Sequence, residues 1–157
     1  MGQVIVPRII EAGHEVTGWN RSPGKTEFLE TQGMKVAKTP AQAAEGADLV
    51  LSIVTDGEAV RSVSTGENGI IQSLDKNAAY MDMSTISPEV SREVASTFAE
   101  KGLNMLDAPI SGSPVTVKQG TASIMVAGNK GAFDKAESIL KSIGPKVSYI
   151  GDRKSVV

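Results

Sequence analysis

Cysteine is absent from the 157-residue sequence, and His14 is the only histidine. These absences exclude disulfide bonds, thiol nucleophiles and the cysteine- or histidine-rich ligand sets of structural zinc sites. His14 stands between Gly13 and Glu15 where a loop meets a predicted strand, so we interpret it as a surface residue and predict no metal site. A protein without cysteine suits a reducing compartment, and we expect a cytoplasmic location.

Aromatic residues make up only 4% of the sequence, which leaves few side chains on which bases could stack. The net charge is −2, and no basic block or arginine stripe indicates a nucleic-acid partner. No apolar run approaches the roughly 20 residues that a membrane helix needs, and no signal-peptide pattern precedes the first element. We therefore expect a soluble protein that binds neither nucleic acid nor membrane.

Short apolar runs alternate with helical segments along the whole chain. The run at residues 47–55, ADLVLSIVT, is almost uninterrupted, which is typical of a parallel strand covered on both faces. Strands that alternate with single helices predict an α/β fold with a doubly wound, mostly parallel sheet. The predicted strands span residues 15–19, 47–55, 78–83, 103–108, 122–127 and 146–150, with a weaker candidate at 34–37.

Capping residues mark several helix ends. Thr39 precedes Pro40, and Gln42 follows at the third helical position, which predicts a capping box. Ser87 opens a second helix in the same way, and a third is predicted after Gly131.

The first segment, residues 2–12, fits either a helix or a strand by its spacing. It contains β-branched residues and Pro7, which would cost about 3 kcal/mol in a helix interior. Gly13 is a plausible helix stop, so we favour a helix.

Five stretches of the sequence resemble the β-hydroxyacid dehydrogenase family, which includes 3-hydroxyisobutyrate dehydrogenase, tartronate semialdehyde reductase and glyoxylate/succinic semialdehyde reductases. They occur in the family's order and spacing across residues 1–151. The stretches are Met1-Gly2, AGHEVTGWNRSPGK at 12–25, DMSTISP at 82–88, DAPISG at 107–112 and GTASIMVAGN at 120–129. The resemblance implies an NAD(P)-binding, Rossmann-like domain of an oxidoreductase.

This chain departs from the family pattern at both of its ends. The family opens with a strand and a G-x-G-x-M-G turn, of which only Met1-Gly2 is present, so we expect a domain at residues 1–151 that lacks its first strand. That strand is central in the order 3-2-1-4-5-6. The last residues, 152–157, resemble the translation of a sequencing adapter, so we expect a non-native tail in which Lys154 does not replace the family's catalytic lysine; the alternative is a natural divergent tail. No catalytic residue is therefore assigned, and we expect this chain to lack the family's helical C-terminal domain, through which a homo-oligomer is expected to form.

The resemblance places the cofactor at two segments. Gly2 lies where the backbone approaches the pyrophosphate at a helix N-terminus. Asn20, Arg21 and Ser22 follow the second strand of the family pattern, where an acidic residue favours NAD and an arginine accommodates the 2′-phosphate of NADP. We therefore expect NADP in preference to NAD, the alternative being a surface arginine in a turn.

Loops after later strands complete the expected site. Val54 and Thr55 take the place of a leucine-proline pair that lines the dinucleotide in the family, and Asp56 is interpreted as a helix cap. Thr85 is expected at the nicotinamide and Ser84 at the substrate.

The substrate loop of the family corresponds to Ser111 and Gly112, whose hydroxyl and N–H would anchor a small carboxylate. Ser113 replaces a common second glycine, as in the glyoxylate and succinic semialdehyde reductase branch.

The implied reaction is hydride transfer between nicotinamide and a small β-hydroxyacid or semialdehyde. Two alternatives stay open. One is an imine reductase or a 6-phosphogluconate dehydrogenase relative, and the other is a non-catalytic, dehydrogenase-like module for oligomerisation. A lysine beyond Gly151 in the native gene would favour the enzymes.

Overall fold

The computed structural model describes residues 1–22 and 24–152, so the predicted tail lies outside the described residues except for Asp152. The strands are β1 Thr17–Gly18, β2 Lys35–Val36, β3 Leu49–Ser52, β4 Ala79–Asp82, β5 Asn104–Asp107, β6 Ile110–Ser111, β7 Ser123–Gly128 and β8 Lys146–Gly151. The helices are α1 Gly2–Glu11, α2 Glu27–Thr31, α3 Pro40–Ala44, α4 Gly57–Thr65, α5 Pro88–Glu100, α6 Pro114–Lys118 and α7 Lys130–Ile143, with a 3₁₀ turn at Ile70–Gln72.

The strands form a mostly parallel arrangement with helices on both faces. The larger sheet has the order β3-β4-β5-β7, and β8 pairs with the other edge of β7. Among the described strands, only the pairings of β5 and of β6 with β7 are antiparallel. The predicted doubly wound α/β class is confirmed.

The described strands form two separate sheets, divided between β1 and β3. β1 and β2 form a two-stranded parallel sheet of their own, and in the described part of the chain β3 pairs only with β4. Helix α3 contacts both β1 and β3, so the two strands lie near each other without pairing. In a doubly wound sheet the first strand separates the second from the fourth, and the observed division agrees with that order.

Two hydrophobic clusters cover the two faces of the larger sheet. β4 contributes to both, because Met81 belongs to the cluster under α1 and α7 whereas Tyr80 belongs to the cluster under α4 and α5. All four residues of β4 are buried. In β3, Leu49 and Leu51 are only partly buried. The strand beside the division is therefore less well covered than its neighbour.

Helix α1 forms despite Pro7, which confirms the helical prediction for the first segment. Ile5 and Ile9 are one turn apart and both are buried in the cluster shared with α7. Arg8 Nε also donates a hydrogen bond to the carbonyl oxygen of Ser142 at 2.7 Å. Tertiary contacts thus offset the cost of an internal proline.

The predicted caps at Thr39 and Ser87 are confirmed. Thr39 Oγ1 accepts from the backbone N–H of Gln42, whereas the Gln42 side chain accepts from Lys38, one residue earlier than a capping box requires. The third helix begins at Lys130 with Asn129 as its cap, so the prediction that it starts after Gly131 was wrong by two residues.

Elements of two to five residues, namely α2, β6, α6 and the 3₁₀ turn, were not predicted. They are too short to carry a periodic apolar pattern. In the described residues, no helix has the length and apolar character needed to cross a membrane.

Expressed alone, the 157-residue chain should associate and melt over a broad temperature range, because β1 and β3 each present an unpaired edge. Sedimentation and thermal unfolding followed by circular dichroism test this expectation. Thr17→Lys, which places a charge on exposed β1, should reduce association. A soluble monomer that melts cooperatively would contradict the prediction.

Candidate functional site

A cleft of about 280 Å³ opens at the carboxyl ends of β3 and β4. This is the edge at which doubly wound folds bind their ligands, because the loops that follow parallel strands meet there. The first residue of the chain and the segment around β6 form the remaining walls of the cleft. Its lining consists of Met1, Ile53, Val54, Thr55, Met83, Ser84, Thr85, Ile110 and Gly112.

Five residues expected at the site from the sequence lie together in this cleft: Val54, Thr55, Ser84, Thr85 and Gly112. They come from three segments that are distant along the chain. The structure therefore brings the expected loops after β3 and β4 to the expected substrate loop.

Two further expected residues adjoin the cleft. Gly2 follows Met1 and begins α1, and Ser111 ends β6 immediately before Gly112. A Cβ atom added to Gly2 would meet nothing within 4 Å, so its backbone is open to close approach. The first turn of α1 contains no acidic residue, and no side chain caps it.

A buried hydrogen-bond network lies behind the cleft, centred on the carboxylate of Asp82. Its Oδ1 accepts from Ser52 Oγ at 2.8 Å, from Ser84 Oγ at 2.7 Å and from the Ser84 backbone N–H at 3.2 Å. Tyr80 lies 2.8 Å from Ser52 Oγ, and Ser84 Oγ accepts from the backbone N–H of Val54 at 2.9 Å. Asp82 Oδ2 is buried and has no hydrogen-bond partner among the described residues.

The donors of this network follow from the number of protons available. A serine hydroxyl can donate one hydrogen bond, and that of Ser52 donates to Asp82 Oδ1. The Tyr80 hydroxyl is therefore the donor in its hydrogen bond with Ser52. The Ser84 hydroxyl likewise donates its one hydrogen bond to Asp82 Oδ1. Ser84 is 3% exposed, and its hydroxyl can offer a ligand only a lone pair. If Ser84 contacts the substrate, as the sequence predicts, its hydroxyl can accept a hydrogen bond from the substrate but cannot donate one.

The loop at Ser111 and Gly112, which the sequence predicts to bind the substrate, is held by the cap of α6. The Ser113 hydroxyl accepts from the backbone N–H of Thr116 at 3.3 Å, and Thr116 Oγ1 accepts from the backbone N–H of Ser113 at 2.7 Å. A Cβ added to Gly112 would lie 2.5 Å from Thr116 Oγ1, which a real contact does not allow. A side chain at position 112 would therefore have to displace the Thr116 hydroxyl, which caps α6.

The segment after β1 lies outside the cleft lining. The Asn20 side chain donates to the carbonyl oxygen of Ser22 at 2.9 Å, which forms a local turn, and the Arg21 side chain is exposed. Pro23, which follows, lies outside the described residues.

Asp56 confirms its interpretation as a helix cap, since its Oδ1 accepts from the backbone N–H of Ala59 at 2.8 Å at the start of α4. This hydrogen bond and one from the Thr55 hydroxyl lower the pKa of Asp56, and the positive charge of Arg21 lowers it further.

Sequence reasoning missed the apolar lining of the cleft, formed by Met1, Ile53, Met83 and Ile110. It also missed the network of Ser52, Tyr80 and Asp82. A signal for the network was present, because polar residues near the carboxyl ends of otherwise apolar strands must find partners when they are buried.

The comparisons with known proteins agree with this geometry. A family model described as the NAD binding domain of 6-phosphogluconate dehydrogenase matches residues 1–151. An uncharacterised oxidoreductase of Bacillus subtilis is 38% identical over 152 residues, which is 97% of this chain and 53% of that protein. The 3-hydroxyisobutyrate dehydrogenase of Pseudomonas aeruginosa is 34% identical over 152 residues, which is 97% of this chain and 51% of that protein.

Solved structures of other proteins are also similar to this chain. Mycobacterium tuberculosis 3-hydroxyisobutyrate dehydrogenase with L-serine has a TM-score of 0.91 and 27% identity, covering 99% of this chain and 52% of that one. Psf3 in complex with NADP⁺ and 2-OPP has a TM-score of 0.91 and 26% identity, covering 99% of this chain and 55% of that one.

The chain spans about half the length of these relatives. The resemblance to 3-hydroxyisobutyrate dehydrogenases that the motifs indicated is confirmed. The chain belongs to the family of NAD-binding domains represented by that of 6-phosphogluconate dehydrogenase.

Proposed function

We propose that this chain is the dinucleotide-binding part of an oxidoreductase that transfers a hydride between NADP or NAD and a small β-hydroxyacid or semialdehyde. The observation that carries the proposal is the convergence of Val54-Thr55, Ser84-Thr85 and Gly112 in one cleft. The relatives named as 3-hydroxyisobutyrate dehydrogenases support the substrate class. When bound, the dinucleotide supplies or accepts the hydride.

The start of α1 fits the pyrophosphate of such a cofactor. Free N–H groups and the positive end of the helix dipole favour an anion at a helix N-terminus. The open surface at Gly2 allows a phosphate to approach the backbone, and the first turn carries no competing carboxylate.

We propose a preference for NADP over NAD from the residues after β1. Asn20 turns its side chain onto Ser22, and Ser22 is neutral, so neither places a carboxylate against a ribose 2′-hydroxyl. The exposed guanidinium of Arg21 is able to pair with a 2′-phosphate through two hydrogen bonds.

The substrate carboxylate is proposed to bind at the loop formed by Ser111 and Gly112. Ser111 is exposed beside the cleft, and its hydroxyl has no hydrogen bond to another described residue. The Gly112 backbone lies in the cleft and has no side chain to obstruct a ligand. Thr85, which is exposed in the cleft, is proposed to contact the nicotinamide end of the cofactor.

No catalytic acid or base is assigned within the described residues. Lys154 lies outside the described residues, and the acid/base lysine of the proposed reaction is not assigned to a position of this chain. The proposed domain comprises residues 1–151, and the chain spans about half the length of its relatives.

Arg21→Ala in the gene product that contains this chain should weaken NADP binding by about tenfold or more, because hydrogen bonds to charged groups contribute roughly 1.5–3 kcal/mol. NAD binding should change little, since NAD carries no 2′-phosphate. Titration calorimetry with both cofactors measures the difference. Arg92→Ala, which removes an exposed arginine of α5, is the matched control, and an equal fall in the two affinities would refute the preference.

Gly112→Ala should reduce kcat/KM for a small β-hydroxyacid roughly ten- to a hundredfold, because the added methyl group displaces the loop from Thr116. Steady-state kinetics and cofactor titration of the same variant separate the effect on substrate from that on the dinucleotide. Gly131→Ala, at an exposed position in the first turn of α7, is the control for the same chemical change. Wild-type kinetics in Gly112→Ala would show that this loop does not bind the substrate.

A further inference from the structure

We propose that Asp82 is a positioning residue that sets the loops after β3 and β4 in the arrangement that receives the nicotinamide half of the dinucleotide. This inference rests on the proposed function for its ligand. Asp82 is fully buried and is not among the residues that line the cleft, so it acts through its neighbours.

The backbone ladder between the two strands ends just before the cleft. Its last bond runs from the Met83 N–H to the carbonyl oxygen of Ser52 at 2.8 Å. Among the described residues, no backbone hydrogen bond joins the loops beyond that point. The connection is continued by the Ser84 hydroxyl, which accepts from the N–H of Val54.

Asp82 determines how Ser84 is oriented. The Ser84 hydroxyl and the Ser84 N–H both donate to Asp82 Oδ1, so the lone pairs of that hydroxyl are turned towards Val54. Without the carboxylate, the Ser84 hydroxyl is free to rotate, so its lone pairs no longer point steadily at the N–H of Val54.

Ser52 extends the same control to β3. Ser52 is the last residue of β3 and is in register with Asp82, to which its hydroxyl donates. One carboxylate oxygen therefore holds the end of β3 and the start of the loop after β4. The residues that it sets, Val54 and Ser84, are followed in the chain by Thr55 and Thr85, and all four line the cleft.

The first test is independent of any ligand and uses amide hydrogen exchange measured by NMR in the gene product that contains this chain. Asp82→Ala should accelerate exchange at the Val54 amide about tenfold relative to the Met83 amide, because only the former depends on a side-chain acceptor. Equal acceleration at both amides, or none at Val54, would overturn the proposal.

Two further variants keep this test decisive if Asp82→Ala does not fold. Ser84→Ala leaves the carboxylate in place, removes the hydroxyl that connects it to the Val54 N–H and should accelerate exchange at the Val54 amide in the same way. Ser64→Ala is the matched control, since Ser64 is also fully buried but donates to Val60 within α4. An effect of Ser64→Ala on Val54 equal to that of Ser84→Ala would also overturn the proposal.

The second test compares NADP with 2′-phospho-ADP-ribose, which lacks the nicotinamide, by titration calorimetry. Asp82→Ala should weaken NADP about tenfold and leave the fragment within about twofold, and Asp82→Asn, which keeps one acceptor oxygen, should restore most of the affinity. Equal losses for both ligands would show a merely structural role. A wild-type protein that binds neither ligand would refute the proposed function, and the exchange experiment would still decide whether Asp82 orders the loops.

Discussion

Parallel pairing of β3 with β4 is the constraint on which the cleft depends. The register sets Ser52 beside Asp82, so both strands end at the same level and their loops leave the sheet together. A parallel strand pair cannot be joined by a tight turn, and the chain must return through a helix, here α4. That crossover leaves the carboxyl ends free for a ligand, whereas a hairpin would occupy them.

The same constraint explains why polar groups are tolerated deep in this sheet. β4 is buried on both faces and hydrogen-bonded on both edges, which normally favours apolar residues alone. Tyr80 and Asp82 are accommodated because they lie close enough to Ser52 and Ser84 to form hydrogen bonds. The network links two elements through their side chains where the backbone ladder has already ended.

Much of the architecture was predictable from local patterns. The uninterrupted apolar run around Val50 indicated a covered parallel strand, and Thr39 and Ser87 marked helix starts through their own side chains. The length of β3 was overestimated, as residues 47–55 show against Leu49–Ser52, because apolar residues continue from β3 into the cleft lining. Helix α6 was not predicted, since a five-residue helix depends on its cap at Ser113 more than on any repeat.

The sequence by itself determined the fold class, the family and the loops that carry polar groups to one edge, because periodicity, capping and motifs are properties of neighbouring residues. Only the tertiary structure decided which of those loops meet and which hydroxyl groups donate hydrogen bonds to which acceptors. The sequence predicted Ser84 at the substrate, yet in the structure its hydroxyl donates a hydrogen bond to Asp82. Hydrogen-bond partners that are distant along the chain, such as Ser52 and Asp82, become visible only when the strand register is known, because a shift of one residue would turn each side chain to the opposite face.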